Sequence, residues 1–502
     1  MPRGLSAWFG GPNVKIGPRI SPLVVPVVAT SESDSDLGSE AILHKQLEAE
    51  ADCAIQYRTC SWQKTAALLF SEYICLAIMS FPWSYSILGL VPGLILTIVQ
   101  ALLVLYTSLV LWEFCLRHPE VRDVCDIGQM LFWGKTWAWY FTAVMFILNN
   151  TFIQALHVLI GAEYINTMVG PNSSVGCQTV VFAIITTLIC WIGSLPRTFD
   201  MMSKLGTASA VFTFIAVVLA TIFSGIEDHP AGFSATPGID ETGSAIPWGN
   251  PLVTVIPVTG TTFVAGLNAF LNISYTFIGQ ITLPSFIAEM RDPRDFPKAL
   301  WACTILEIFV FSIVGAVIYA YTGNQYMTAP AFGSLEPLYK KVSFSFMIPT
   351  LIFLGCLYAS VSARFLFFRI FQNSHHKNSH TLIGWGTWTL ILLGLWISAF
   401  IIANVIPFFS SLLSLMSSLF DSFFGFIFWG VAYFRMRKAD GHMALVKDRS
   451  FRGWFEGILN IVIIITGFFF LTAGTYVSVQ SIIDQFEAGT VGTVFQCKSN
   501  GI

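Results

Sequence analysis

Charge is scarce in this sequence. Asp, Glu, Lys and Arg together make up 11% of the 502 residues, whereas soluble proteins carry roughly 25%. Several water-facing domains would need more charge than this to cover their surfaces. Apolar residues reach 55%, and the mean hydropathy is +0.69. These values indicate a chain that lies mainly within a lipid bilayer.

Other absences exclude further classes of protein. The net charge is −3, without the basic excess that nucleic-acid partners need. The ten cysteines contain no Cys-x-x-Cys pair, so the pattern predicts neither a zinc site nor a disulfide framework. No nucleophile–base pair, paired acids or metal-ligand set is visible, and we predict no enzyme, no metal and no cofactor. A weak metal-binding role stays open only for His375, His376 and His380, in a short polar loop.

Long apolar runs recur from Trp62 onward, each able to cross a hydrocarbon core of roughly 30 Å at about 1.5 Å per residue. They predict an all-α polytopic membrane protein with about eleven transmembrane helices. The predicted spans are 63–88, 91–114, 136–168, 177–194, 204–225, 261–288, 299–322, 343–371, 383–404, 407–434 and 455–482.

The basic residues orient these spans, because Lys and Arg accumulate in cytoplasmic loops. With eleven spans, all but three of the 26 Lys and Arg fall on the side of the N-terminus. The exceptions are Lys340, Lys341 and Lys498. We therefore expect a cytosolic N-terminus and an outer C-terminus.

The first 58 residues differ in composition from the rest. Their Ser/acidic stretch SESDSDLGSE (31–40) cannot bury enough apolar surface to order itself. We interpret 1–58 as a disordered cytosolic tail, with phosphorylation of its serines as an open alternative. Residues 59–483 form the predicted transmembrane domain, and 484–502 form a short non-cytosolic tail.

Two spans contain helix-breaking residues at membrane depth. Pro82 lies in the middle of the first span, and Gly279, Gln280 and Pro284 interrupt the sixth. Such breaks are tolerated only where they are buried or line a cavity. Breaks in spans one and six favour two inverted five-helix repeats followed by one extra helix, with a substrate site at midplane between the broken helices.

Five segments resemble the amino acid/auxin permease (AAAP) family, and in particular its fungal permeases of neutral amino acids of the methyltryptophan-resistance type. They are SYTFIGQITLPSFIAEMRDPRDFPKALW (274–301), LAIMSFPWSYSILGLVPG (76–93), GSLPRTFDMMSKLG (193–206), IPFFSSLLSLMSSLFDS (406–422) and GTVGTVFQCKS (489–499). One departure is Ala77, where the family usually has Gly. The resemblance implies the 5+5 (APC/LeuT-like) arrangement.

The resemblance also implies which residues bind substrate. Backbone around both breaks would hold the carboxylate and amine of an amino acid, while Phe277 and Ile278 would face its side chain. The residues themselves add a polar stripe at helical spacing on the third span, which includes Asn150 and could bind substrate or form interhelical hydrogen bonds. The substrate-binding candidates are Ser80, Phe81, Pro82, Trp83, Asn150, Tyr275, Phe277, Ile278 and Gly279.

Ionisable groups are few inside the spans, so each is a candidate for ion coupling. Glu72, His157, Glu307 and Asp421 could carry a proton, although each could instead be a buried structural partner. Ser360 and Ser362 on the eighth span could replace the water shell of sodium. Composition leaves H⁺ and Na⁺ open, and the resemblance to fungal permeases favours H⁺.

The function predicted is secondary active transport of neutral aliphatic and aromatic L-amino acids, by proton symport and alternating access. An amino acid sensor, or a vacuolar transporter of the same fold, is the alternative. The expected partners are the amino acid and the bilayer, with a monomer sufficient and the oligomeric state open. The expected location is the plasma membrane, and the vacuolar membrane stays open.

Two outer features complete the predictions. Asn172 begins an Asn-Ser-Ser glycosylation sequon, close to two helix ends. Cys177 and Cys497 are the cysteines that this topology places outside, where an oxidising compartment permits a disulfide. A bridge between them and two free thiols are both open at this point.

Overall fold

A computed structural model describes most of the chain. The described residues are 8–20, 60–121, 123–170, 176–197, 200–239, 245–371, 374, 376, 381–441, 451–488, 494–495, 497 and 499–502. Asn172, His375, His380 and the Ser/acidic stretch 31–40 lie outside them.

Helices make up nearly all of the regular structure in these ranges. In chain order they are α1 (Trp62–Tyr73), α2 (Phe81–Leu88), α3 (Leu90–Arg117), α4 (Val124–Leu131), α5 (Thr136–Val169), α6 (Gln178–Gly193), α7 (Asp200–Ile226), α8 (Phe263–Phe277), α9 (Leu283–Ala288), α10 (Phe296–Thr322), α11 (Pro337–Ser345), α12 (Ile348–Ile370), α13 (Leu382–Val405), α14 (Phe409–Met416), α15 (Phe428–Ala439), α16 (Phe451–Phe469) and α17 (Thr475–Glu487). Two π-helical segments, Ser417–Ile427 and Phe470–Gly474, continue α14 into α15 and α16 into α17. The strands β1 (Gly238–Ile239) and β2 (Ala245–Ile246) pair antiparallel in the loop after α7.

The chain is a polytopic helical membrane protein. Eight helical stretches among the described residues are long and apolar enough to cross a membrane, and nine if the bent pair Trp62–Tyr73 and Leu76–Leu88 is one span. The apolar helices α6 and α8 are shorter, with 16 and 15 residues. The count of eleven spans requires that these two also cross, and it stays a prediction.

Side-chain caps set where several helices begin. Ser61 accepts a hydrogen bond from the Lys64 N–H at the start of α1. Thr262 accepts one from the Ala265 N–H at α8, and Thr381 one from the Gly384 N–H at α13. Each cap satisfies a backbone donor that the first helical turn leaves unpaired.

The interior and the lipid-facing surface are both apolar. Fully buried tryptophans use their indole N–H inside the bundle: Trp112 donates to the Pro293 carbonyl at 2.7 Å and Trp396 to the Ser194 hydroxyl at 3.2 Å. Large apolar side chains point outward along the long helices, among them Ile95, Val99, Leu188, Phe309, Ile313, Ile397 and Ile465. A bilayer solvates such a surface, whereas water would not.

An N-terminal segment, residues 8–20, packs against helix ends on the side predicted to be cytosolic. The Trp301 indole donates to the Trp8 carbonyl at 2.9 Å, and the Gly11 N–H donates to the Arg294 carbonyl at 3.0 Å. The Arg19 guanidinium pairs with Glu120 at 2.6 Å. The predicted tail includes this segment, whose apolar side chains, such as the buried Val14 and Ile20, pack against the bundle.

Candidate functional site

The first transmembrane helix is interrupted after Tyr73. Ile74 leaves helical geometry (ψ 76°), residues Leu76–Ser80 form a 3₁₀ turn, and the two halves bend by 49°. Pro82 itself lies in the first turn of α2, where its missing N–H costs no hydrogen bond. The sequence therefore identifies the right span but places the interruption too late, at Pro82 instead of 74–80.

The sixth-span interruption runs from Ile278 to Thr282. Ile278 is extended (φ −96°, ψ 103°). The Gly279 carbonyl accepts from the Thr282 N–H at 3.1 Å and from the Thr282 hydroxyl at 2.8 Å. Gly279 and Gln280 lie inside the break, and Pro284 again falls in the first turn of a new helix, α9.

The two breaks contact each other. A Cβ atom at Gly279 would lie 2.7 Å from the Tyr73 ring, so only glycine permits this approach. On the next turns, Phe81 and Phe277 form an edge-to-face pair with ring centroids 6.0 Å apart, and each lies 5.3 Å from Phe311 of α10. The interruptions of spans one and six thus meet in the protein interior.

Helix α3 forms two side-chain hydrogen bonds with the sixth span, one just before the second break and one within it. Gln100 donates to the Ser274 hydroxyl at 2.8 Å, and Gln280 donates to the Thr107 hydroxyl at 3.0 Å. All four side chains are buried. The sequence analysis missed Gln100 and Thr107, because a polar residue on an apolar helix does not reveal its distant partner.

The carboxylate of Glu72 bridges three elements. It is half-buried in the last turn of α1 and accepts hydrogen bonds from Thr282 at 3.3 Å and from Tyr358 of α12 at 3.4 Å. Glu307 is buried on α10 and accepts a weak hydrogen bond from Cys303, one turn away, at 3.1 Å. Thr282 and Tyr358 were also missed, since hydroxyl groups in spans gave no ionisable signal.

The polar stripe of α5 faces α12. The Asn150 amide donates to the Ser362 hydroxyl at 3.0 Å, and His157 contacts the Ile153 carbonyl of its own helix at 2.7 Å. The hydroxyl of Ser360 is buried without a hydrogen-bond partner among the described residues. The stripe therefore joins α5 to α12, and the hydroxyl oxygen of Ser362 accepts the hydrogen bond from Asn150.

The π-helical segment Ser417–Ile427 contacts the second break. A Cβ atom at Gly425 would lie 2.8 Å from the Ile278 side chain. Asp421 is 5% exposed, and its Oδ2 accepts no hydrogen bond from any residue that the structure describes. Tyr275 lies close enough to both Asp421 and Cys75 for electrostatic interaction. π-Segments inside helices often mark functional positions.

The other candidates lie elsewhere. Trp83 is half-buried at the start of α2. A disulfide joins Cys177, at the start of α6, to Cys497. Close to this bond, Leu159, Ala183, Asn404 and Asn500 line a small cavity, which is separate from both breaks.

Interrupted helices inside a membrane bundle expose backbone N–H and C=O groups at a protein-lined site, which is how membrane transporters bind polar solutes. Fold and site together define a multi-pass membrane transporter. Residues 58–480 match the family described as "Transmembrane amino acid transporter protein", and the chain belongs to this family.

Two fungal relatives are similar over nearly their whole length. The "N amino acid transport system protein" of Neurospora crassa is 30% identical over 457 residues, which cover 91% of this chain and 92% of the relative. A "Transmembrane transporter" of Gibberella moniliformis is 29% identical over 447 residues, 89% of each chain. The chain is therefore an amino acid transporter and not an enzyme.

Proposed function

We propose that this protein is a secondary active transporter of neutral aliphatic and aromatic L-amino acids, driven by proton symport. The observation that carries the proposal is the contact of the two breaks, through Tyr73 with Gly279 and Phe81 with Phe277. One site between the broken spans serves an alternating-access mechanism, in which two inverted five-helix repeats move about the substrate and an eleventh helix follows them.

The lining of this site supports a neutral substrate. Backbone of residues 80–83 and 275–279 presents polar groups for the carboxylate and amine, with Asn150 on the stripe beside them. Phe81, Phe277 and Ile278 supply apolar surface for the substrate side chain. The name of the Neurospora relative specifies amino acid transport, and it supports the amino acid part of the proposal.

Four titratable groups in the spans are candidates to carry the coupling proton: Glu72, His157, Glu307 and Asp421. Glu72 touches both the second break and α12, so its protonation would alter contacts between moving parts. Ser360 and Ser362 remain the candidates if sodium replaces the proton. A single chain contains the whole site, and a monomer suffices. We place the protein in the plasma membrane with a cytosolic N-terminus.

Counterflow in proteoliposomes tests the transport of neutral amino acids. Liposomes loaded with unlabelled tryptophan should take up labelled tryptophan, and external leucine or phenylalanine should compete. Tryptamine should not compete, because it lacks the carboxylate that the interrupted backbone binds. Binding without exchange would instead indicate a sensor, and equal inhibition by tryptamine would remove the carboxylate site.

A second measurement tests the coupling ion. At an inward-negative potential, substrate addition should acidify the liposome interior, and a proton ionophore should abolish accumulation. Uptake that needs sodium and ignores the proton gradient would contradict proton symport while leaving amino acid transport intact.

A further inference from the structure

Asp421 is a buried carboxylate near the second break, and the polar side chain of Ser417, four residues earlier, lies beside it. Only 5% of its surface is exposed, and Oδ2 has no hydrogen-bond donor among the described residues. No Lys, Arg or His in the part of the chain that the structure describes forms an ion pair with it. An isolated carboxylate in such surroundings is costly unless a cation or a proton compensates it.

Asp421 lies on the face of its π-helical segment that packs against the second break. In a π-helix, hydrogen bonds run from residue i to i+5, so residues four or five apart share a face. Gly425, four positions after Asp421, touches Ile278, where the break begins. Tyr275, in the last turn of α8, lies near both Asp421 and Cys75 of the first break. Asp421 therefore lies within about one helical turn of the residues that surround the substrate.

Every α-amino acid brings an ammonium group to this place. We infer that Asp421 is the charged partner of the substrate's α-ammonium and shares it with the backbone carbonyls of the breaks, an assignment that rests on the proposed function. The substrate carboxylate occupies interrupted backbone, the side chain meets Phe277 and Ile278, and Asp421 faces the positive end. The ion pair forms in a site from which water is excluded, where a charge-assisted hydrogen bond is stronger than a neutral one.

This role differs from that of a proton carrier. A carboxylate that carries the coupling proton affects the gradient dependence of transport, whereas one that binds the ammonium determines which ligands bind. Phenylalanine and 3-phenylpropionate differ only in the amine, so the ratio of their affinities measures this contact directly.

The test measures ligand binding to the purified full-length protein. Two assays report the binding: displacement of labelled phenylalanine, and the shift in melting temperature that each ligand causes. Wild-type protein should prefer phenylalanine to 3-phenylpropionate. In Asp421→Asn the affinity for phenylalanine should fall about tenfold or more, while that for 3-phenylpropionate should stay within about twofold, since it lacks the ammonium. Asp421→Glu, which keeps the charge, should retain the preference.

Glu163→Gln is the matched control. Glu163 is also 5% exposed with an unpartnered buried oxygen, but it lies near the outer end of α5. This variant should bind both ligands as the wild type does. Asp421→Asn should fold, because it removes an uncompensated buried charge. Asp421→Glu provides a second measurement of the preference for phenylalanine over 3-phenylpropionate.

Three results would overturn the inference. If Asp421→Asn binds phenylalanine with wild-type affinity, Asp421 does not bind the ammonium. This holds also if the variant loses only proton-driven accumulation. An equal loss of affinity for phenylalanine and 3-phenylpropionate would indicate that Asp421 has a structural role. Wild-type protein that binds no neutral amino acid rejects the proposed function itself, and the inference with it, which distinguishes that failure from the other two.

Discussion

Gly279 lies at the contact between the two breaks. A Cβ atom there would lie 2.7 Å from the ring of Tyr73, which is itself buried. A larger residue would therefore push this ring away from the second break. Close approach to the other broken helix is thus the physical reason for a glycine at this position.

Gly279→Ala should reduce exchange by about tenfold or more and lower the melting temperature, because overpacking a dense interior costs roughly 1–3 kcal/mol. Counterflow and thermal unfolding measure the two effects. Gly266→Ala is the control on α8, since a Cβ there meets nothing within 4 Å. Full activity of Gly279→Ala would show that the breaks tolerate separation.

Individual site residues were only partly predictable from the sequence. Ionisable residues in apolar spans stand out by composition, which is how Glu72, Glu307 and Asp421 were found. Their partners do not stand out. Gln100 bonds Ser274 across 174 positions, and Glu72 bonds Tyr358 across 286, so these contacts follow from packing that no local pattern encodes.

At the scale of elements, apolar length predicts helices better than it predicts their interruptions. The predicted span 136–168 compares with α5 at Thr136–Val169, and 383–404 with α13 at Leu382–Val405. The first break was misplaced because proline marks a lost N–H, and a first-turn proline loses none. The apolar residues Ile74 and Cys75 carry no turn signal, so tertiary packing sets the break there.

Two shorter helices do not match the predicted spans. Helix α4 (Val124–Leu131) sits in a loop, capped by Asp123, which accepts from the Cys125 N–H at 2.9 Å. Helix α11 (Pro337–Ser345) ends before α12 begins at Ile348, whereas the sequence predicts one span over 343–371. Pro349 in the first turn of α12 is consistent with a new helix start.

A carboxylate joins the end of α7 to α11. Glu227 directly follows α7, and its Oε2 accepts from the Glu336 N–H at 2.9 Å. Burial raises the pKa of Glu227 to about 7, a shift that the Glu336 N–H and Lys340 partly oppose. The folded protein then binds this proton more tightly than the unfolded chain does, whose carboxyl has a pKa near 4.5.

The contribution of Glu227 to folding free energy is therefore favourable at low pH and declines as pH rises from about 4.5 to about 7. Glu227→Gln should flatten this decline and melt at a higher temperature than the wild type at pH 8. Melting curves across the pH range check both points, with the exposed neighbour variant Asp228→Asn as control. A parallel decline in Glu227→Gln would assign the pH dependence to other groups.

At the scale of the whole molecule, each end of the described chain is fastened to the helix bundle. The N-terminal segment bonds the ends of α3 and α10, through His118 to Ile20 and Trp301 to Trp8. At the other end, the Ile502 N–H donates to the Thr167 hydroxyl at 3.1 Å, next to the bond between Cys177 and Cys497. These contacts tie sequence-distant helices together at both surfaces.

Peptide mapping without reduction should recover Cys177 and Cys497 on one cross-linked peptide pair. The buried thiols of Cys115, Cys125 and Cys190 should be alkylated only after unfolding, which makes them internal controls. Recovery of Cys177 and Cys497 on separate alkylated peptides would reject the bridge.

The same bond orders events during biosynthesis. Its cysteines are 320 positions apart, and every helix from α6 to α17 lies between them. A ribosome must therefore synthesise all of these helices before the bridge can close, whereas in the predicted topology Cys177 reaches an oxidising lumen much earlier. A closed bridge would then mark molecules in which all of these helices have been synthesised, and chains stalled at an intermediate helix would keep a Cys177 thiol that alkylating reagents can modify.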